Sequence, residues 1–441
     1  MKRQHVTALL AGCATLAAAM GQAGAGGYSR GTADTDLIFE EGNFNMRSSM
    51  TVVMPRRGYE TLTAPTPGGA LGGLVPGQVY ASTDGDYTQT YAIPSMAVKF
   101  NISDDFRCAG TYTQPFGADS EYGPQAVLFG SLADGTGTIS ERFDNDEFGA
   151  TCGYKFDLAK GRAWLIGGGF LQDFTYSQTV LFNGQVVAAG LIAAEQLDPA
   201  DAAQFIAAID GTEATLRFNG DYVPGWRLGV AYEIPEIALR AQLMYRSEVH
   251  HTPDGTFTTA FNTQAGPFPV VAPVVGDGTL PQSLELKLQS GIAPGWLAFG
   301  SIRWTDWSVL DTLDYTILGG PLPGARELEY FYRDGWTVTG GVGHVFSESI
   351  SGVVGLTWDR GVSTTEDTLS DSYTAAAGVS IKDKIGGEVR FGGAISYLTS
   401  ASVLAEAQPS GVGNPDYGSS FAFSVGGDWV YALSAGYRIQ W

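Results

Sequence analysis

The chain has 441 residues, including 60 Gly, 23 Phe, 20 Tyr and 9 Trp, and a formal net charge of −21. That charge repels phosphate backbones and excludes a nucleic-acid partner. Four His and three Cys make no metal-ligand cluster, and no cofactor or nucleotide motif appears.

The first 25 residues read as a secretory signal. Lys2 and Arg3 precede an apolar run from Val6 to Met20, and Ala23-x-Ala25 offers a cleavage site, so a mature chain is expected from about Gly26. "LAGC" (Leu10 to Cys13) resembles a lipoprotein box, but the apolar stretch before Cys13 is too short for one. Residues 26–43 lack alternation and are expected to fold into a lumen as a short plug, with an antiparallel transmembrane β-barrel over 44–441. No later stretch approaches the ~18 apolar residues of a membrane helix. Within the expected plug, "GYSRG" (Gly27 to Gly31) spells G-x-S-x-G, but without the strand and helix that a nucleophile elbow needs.

Strand-like runs follow, joined by short and long segments in alternation. "NISDDF", "DLAKGR", "EIPEI", "IAPGW", "SESIS" and "KDKIG" are short. The long joints lie near 57–87, 117–143, 177–213, 250–280, 311–330, 363–370 and 400–425. This sorting predicts about fourteen strands with both chain ends on the short-turn side, as in outer-membrane barrels. Cys108 and Cys152 remain after the leader, and spacing alone does not show whether they pair. The acidic runs "ADSEYG" and "ERFDNDEFG" read as solvated loops, with cation bridging to anionic lipid as the alternative. The segment after Gln178 is helical in period: Asp198-Pro199 opens a helix, Phe205, Ile206 and Ile209 share a face, and Gly211 ends it.

Alternation assigns faces in the second half. Leu239, Ala241, Leu243, Tyr245 and Val249 oppose Arg240, Gln242, Arg246 and Glu248. Val389, Phe391, Ile395 and Tyr397 oppose Glu388, Arg390 and Ser396. Leu297 and Phe299 share the lumen side with Ser301 and Arg303, which makes them candidate substrate contacts. His344 lies in a strand run and reads as structural. The last strand sets Trp429, Tyr431, Leu433, Tyr437, Ile439 and Trp441 on one face, as a lipid-facing closing strand would.

From about Phe44 to Trp441 the sequence resembles the FadL family of outer-membrane transporters for long-chain fatty acids and other hydrophobic compounds. "GWRLGVAYEI", "LPQSLELKLQSGIAPGWLAFGSIRWTDWSVLDTL" and "YRDGWTVTGGVGHVFSESISGVVGLTWDRGVS" carry the likeness through their order and spacing. The resemblance implies a fourteen-stranded barrel with an N-terminal hatch, here Asp34, Asp36, Phe39 and Phe44, although the family's Asn-Pro-Ala turn is absent. It implies a kinked third strand, matched by "TYTQPFGAD". Pro115 has no donor and Gly117 tolerates a bulge, so Pro115, Phe116 and Gly117 form the expected lateral gate. It also puts Arg333 near a basic position that the family uses for its ligand, with Arg240, Arg246, Arg303 and Arg390 as lumen alternatives.

The expected function is passive uptake by a monomeric barrel of long-chain fatty acids or similar molecules, with exit into outer-membrane lipid. A general diffusion porin would instead have an open polar lumen. A barrel lipid hydrolase would bring a serine and His344 together.

Overall fold

The computed structural model describes residues 27–65, 74–320, 322–364, 367–384, 386–404 and 421–440. The leader and Trp441 lie outside the described residues. Fourteen antiparallel strands close into a barrel. They are β1 (Phe44–Pro55), β2 (Tyr91–Asn101), β3 (Phe106–Thr113, then Gly117–Glu121), β4 (Thr136–Asp144, then Glu147–Asp157) and β5 (Arg162–Phe182). Next come β6 (Glu213–Ile234), β7 (Leu239–Arg246, Val249–His251 and Asp254–Thr263), β8 (Gly266–Leu280, then Ser283–Ala293) and β9 (Trp296–Thr305, then Thr312–Ile317). The last are β10 (Gly324–Glu329, then Gly335–Val345), β11 (Ile350–Asp359), β12 (Ser372–Lys382), β13 (Gly387–Leu398) and β14 (Asp428–Gln440). β1 pairs with both β2 and β14, so the sheet has no free edge.

The alternation read from the sequence sets the faces. In β13, Glu388, Arg390 and Ser396 are buried in the lumen, while Phe391, Ile395 and Tyr397 are exposed on the outer wall. In β14, Trp429, Tyr431 and Leu433 face outward and Val430, Ala432 and Arg438 inward. Aromatic residues ring the wall at two levels. The outer level includes Trp226 against Tyr245 (5.0 Å), Tyr112 against Phe148 (4.8 Å) and Tyr397 against Trp429 (5.2 Å). The inner level includes Phe44 against Phe100 (5.3 Å) and Trp296 against His344 (4.2 Å). Trp296 and Trp304 mark the two levels on β9; their separation of eight residues spans about 26 Å before tilt, matching an apolar band about 25 Å tall.

Two expectations need correction. Most of the long joints are only partly loops. β3 to β10 continue as paired strands above the outer aromatic ring, so the wall is taller on that side. The face pattern of β7 also breaks. The strand is interrupted at Ser247-Glu248, where the Ser247 amide donates to Trp226 O (2.9 Å), and beyond it Val249 turns inward while Glu248 is exposed. The interruption shifts the alternation by one residue.

Among the described residues, three helices and a small sheet cover the outer mouth. α1 (Pro124–Ala133) opens on proline, and the Asp84 carboxylate accepts from Gln125 N (3.0 Å) and Ala126 N (2.8 Å) in place of a cap. The inserted segment forms α2 (Gly184–Ala193), capped by Asn183, and α3 (Ala202–Ile209), which ends before Gly211 at φ +69°. Asp198 to Asp201 form a turn, so α3 begins three residues later than Pro199 suggests. Tyr59–Thr63, Val79–Ala81, Ala401–Val403 and Phe423–Val425 make a four-stranded sheet beside α1. No described helix is long and apolar enough to cross a membrane.

Candidate functional site

Residues 27–43 run down the lumen from its outer half to the base of β1. At the bottom, Glu40 accepts from Arg47, Asn45 (3.3 Å) and Arg438 (2.8 Å), while its backbone oxygen accepts from Lys99 (2.7 Å) and Arg107 (3.0 Å). One turn higher, the 3-10 helix Thr35–Phe39 is wholly buried. Asp36 pairs with Lys287 (3.2 Å) and lies 3.8 Å from Arg240, Asp34 accepts from Arg47, and Phe39 packs edge-on against Trp164 (5.4 Å) beneath the Arg240 cation (4.3 Å). Charges withdrawn from water are tolerable only when paired in this way. Phe44 is different: it is the first residue of β1, and its ring joins Phe100 on the outward face. It is an interfacial residue rather than part of the lumen segment.

The wall is broken where Pro115 interrupts β3. Ladder pairing stops at Thr113–Glu147 and resumes at Gly117–Asp144, so both β3 and β4 are interrupted at one level. From the inside, residues 28–31 lie across the gap. Arg30 N donates to Pro115 O (2.8 Å), Gly31 N to Gln114 O (2.8 Å) and Gly117 N to Tyr28 O (2.8 Å). The Arg30 guanidinium sits 4.1 Å above the Tyr91 ring and 3.3 Å from Asp144. Gln114 and Tyr112 both donate to Asp146 at 3.0 Å on the far side of the gap. Below the gap, Cys108 and Cys152 join β3 to β4 in a disulfide.

The same segment ends in an aromatic cage above the outer aromatic ring. The Tyr28 ring stands edge-on to Phe143 (6.2 Å), Trp307 (6.0 Å), Tyr330 (5.9 Å) and Tyr332 (5.7 Å), a geometry favoured by ring quadrupoles. Gly27 lies so close to Trp307 that a Cβ there would come within 2.7 Å of the indole nitrogen. A cavity of about 30 Å³ remains beside Tyr28, lined also by Phe174, Leu280 and Leu313. Among the described residues its one charged lining residue is Glu141, which accepts from the Tyr176 hydroxyl. Burial raises the Glu141 carboxyl above its ordinary range, and burial holds the Tyr28, Tyr330 and Tyr332 phenols well above theirs, so these tyrosines stay protonated donors. Phe331, between the two cage tyrosines, takes φ +45°, a strained conformation of the kind found at binding sites. Above the cage lies a vestibule of about 610 Å³ lined by Tyr59, Tyr122, Val187, Leu191 and Phe421, with Glu141 at the junction. Toward the base is a polar chamber of about 90 Å³, where Glu147 pairs with Arg227 and Arg246.

The sequence-derived candidates do not converge. Leu297 is buried at the inner turn against Ala238 and Val345, and Phe299 lies over Gly341 two residues up. Arg333 is at the opposite rim, with its Nε donating to Gly361 O (2.9 Å), and lines none of the three cavities described. The lumen arginines are engaged: Arg246 with Glu147, Arg303 with Glu285 (3.0 Å) and Arg390 with Glu388 (2.7 Å). Ser29 bridges to Phe116 near the wall break, whereas His344 bonds Gly295 O at the inner turn, so these two are not brought together. Sequence reasoning missed the cage residues Phe143, Trp307, Tyr330 and Tyr332. The signal was the dense "YFYRD", which drew attention to its arginine rather than its rings. Neutralising Arg333 (Arg333→Gln) is expected to cost about 1 kcal/mol of local stability. It should change uptake of fatty acids and uncharged hydrocarbons equally, measured as initial rates side by side.

A closed fourteen-stranded barrel with its own N-terminal segment in the lumen matches a known pattern. Residues 49–368 match the family described as outer membrane protein transport protein (OMPP1/FadL/TodX). The chain belongs to that family. Among curated members, the long-chain fatty acid transport protein of Escherichia coli K12 is 26% identical over 281 residues, covering 57% of this chain and 60% of the relative. Its Salmonella typhi counterpart is 24% identical over 271 residues, covering 57% and 59%. The match thus spans about 60% of these relatives' length. Among solved structures, a Pseudomonas aeruginosa FadL homologue superposes with TM-score 0.69 at 15% identity, covering 96% of this chain and 97% of that one. The P. putida toluene transporter TodX gives 0.61 at 15% identity, with 92% of each chain covered. Membership places the protein in the outer membrane, in a family of transport channels.

Proposed function

We propose that this protein carries hydrophobic compounds passively across the outer membrane. A molecule collects in the vestibule, enters the aromatic cage as Tyr28 withdraws, and leaves sideways through the break at Pro115, Phe116 and Gly117. Residues 26–43 act as the hatch over this route. One observation carries the reading: the stretch 28–31 both fills the cage and supplies the backbone bonds that seal the wall. Displacing it opens the pocket and the exit together. A lateral exit also suits an apolar cargo, which gains nothing from crossing the polar chamber and the ion pairs below.

The test is to straighten the wall. Pro115→Thr with Gly117→Val restores a ladder donor and adds a β-branched residue. The Arg30 guanidinium that lies where the new Cβ would sit is the end of a flexible side chain, which can swing aside without moving residues 28–31. The barrel should still assemble, because its other strand pairs are untouched. Initial uptake of a labelled hydrophobic substrate, at equal protein in the outer membrane, should fall at least about tenfold, on the order of 1.4 kcal/mol in barrier. Uptake equal to the parent would discard the lateral exit in favour of passage through the base.

A further inference from the structure

Transport through the cage and the wall break makes no use of the polar chamber below them. Among the described residues, the chamber walls hold two carboxylates, and each serves two cations. Glu147 accepts from Arg227 and from Arg246 (2.9 Å), while Glu285 meets Arg303 (3.0 Å) and Lys287 (3.6 Å). Lys287 also reaches Asp36 at 3.2 Å, but Arg240 lies 3.8 Å from that same carboxylate and cancels it. Four cations against two acids leave each group of three with one positive charge in excess. The excess is local, since the whole chain carries −21. Like charges repel strongly across a closed space of low dielectric, so the two groups call for a negative charge between them.

Unpaired polar atoms point the same way. Gln242 lines the chamber and is 1% exposed. Among the described residues, neither its amide nitrogen nor its amide oxygen has a hydrogen-bond partner. It stands opposite Lys287 in the ladder between β7 and β8. The Nη1 of Arg227, a residue 4% exposed, is likewise without a partner. Buried donors are seldom left so, and the edge of a guanidinium is shaped for an oxyanion. Size and lining then choose the occupant. A volume of about 90 Å³ holds roughly six water molecules, or one small oxyanion with a little water. Phe116 and Met244 give it some apolar wall, but an acyl tail would still lie against ion pairs and hydroxyls, where apolar surface gains nothing.

We infer that the chamber is a binding site for one small tailless oxyanion, of acetate to phosphate size, bridging the Glu147 and Glu285 groups. The site is separate from the cage and independent of what the cage carries. Ser29 and Thr35 line the same chamber and belong to the lumen segment, so the bound anion also ties that segment to the wall.

The experiment uses the full-length folded protein in detergent, with selenate and inorganic phosphate as probes. Selenate soaked into crystals should give an anomalous selenium peak in the chamber, within reach of the Arg227 and Arg303 guanidiniums. Phosphate should bind by calorimetry in buffer otherwise free of oxyanions. The sharpest variant is Gln242→Glu, which places the missing negative charge in the wall opposite Lys287. Burying a carboxylate ordinarily destabilises a protein. Here it should raise the melting temperature in oxyanion-free buffer by about 2 °C. It should also weaken phosphate about a hundredfold, because like charges then meet in the chamber. Gln242→Leu removes the unpaired amide without adding charge and should weaken phosphate only about tenfold. A parent crystal with no selenium peak in the chamber overturns the assignment. So does a Gln242→Glu variant less stable than the parent, or equal loss of phosphate binding in the two variants. If dodecanoate displaces phosphate more strongly than acetate does, the site takes a tailed head group and the inference falls. The transport reading survives each of these failures, because it is tested by uptake alone.

Discussion

Replacing Gly31 with valine is expected to strip the N-terminal segment from the wall while leaving the barrel folded. A Cβ on Gly31 would sit 2.8 Å from Gln114 O and closer still to the Thr113 hydroxyl, and strand backbone cannot yield as a long side chain can. The clash falls on the bonds from Arg30 N to Pro115 O, Gly31 N to Gln114 O and Gly117 N to Tyr28 O. At about 1 kcal/mol each, losing them shifts the docked population by roughly a hundredfold. Tyr28 would leave the cage with them, because Tyr28 and Gly31 lie within one stretch of four residues. The variant should take up hydrophobic compounds without the parent's discrimination, and cells carrying it should become sensitive to bulky hydrophobic toxins. The readouts are growth inhibition and uptake at equal outer-membrane protein. A variant as impermeable and as selective as the parent would show that pairing across the wall break does not hold the segment.

What could be read in advance follows from range along the chain. Strand faces depend on a period of two, so the inward charges of β13 and the outward rings of β14 were legible residue by residue. Pro115 was legible because its missing donor is a local fact. The upper wall was not: Gly117–Glu121 and Thr312–Ile317 are short, interrupted strands whose partners lie across other joints, and in sequence they look like loop. The shift after Arg246 was hidden for the same reason, since only pairing with Trp226 reveals it. The cage lay furthest from view. Tyr28, Phe143, Trp307 and Tyr332 come from the lumen segment, β4 and the rim segments beside β9 and β10, and nothing local marks them as neighbours. Family likeness pointed to a basic residue at Arg333, whose Nε donates to Gly361 O and which lines none of the three cavities. Leu297 and Phe299 were placed on the correct face, yet eight or so residues along the strand from the cage level, which is about 26 Å.

The lower anchor of the lumen segment predicts the second large effect. Glu40→Leu keeps bulk but removes the carboxylate shared by Arg47, Asn45 and Arg438, leaving two buried guanidiniums with fewer partners and Arg390 nearby. Breaking a buried ion pair from one side costs roughly 3–5 kcal/mol, more than replacing the whole cluster would. That cost falls on the segment and not on the wall, because β1 remains zipped to β14 from Asn45–Gln440 to Pro55–Val430. Folded barrel should therefore still migrate anomalously before heating. Residues 27–43 should become accessible to added protease, measured by the cleavage rate of purified protein. Full protection in Glu40→Leu would mean that the outer contacts alone hold the segment. Combining Glu40→Leu with Gly31→Val separates the two anchors. Each end of one short segment restrains the other, so the double variant should lose less than the sum of the singles, and strict additivity would mean that the two ends move independently.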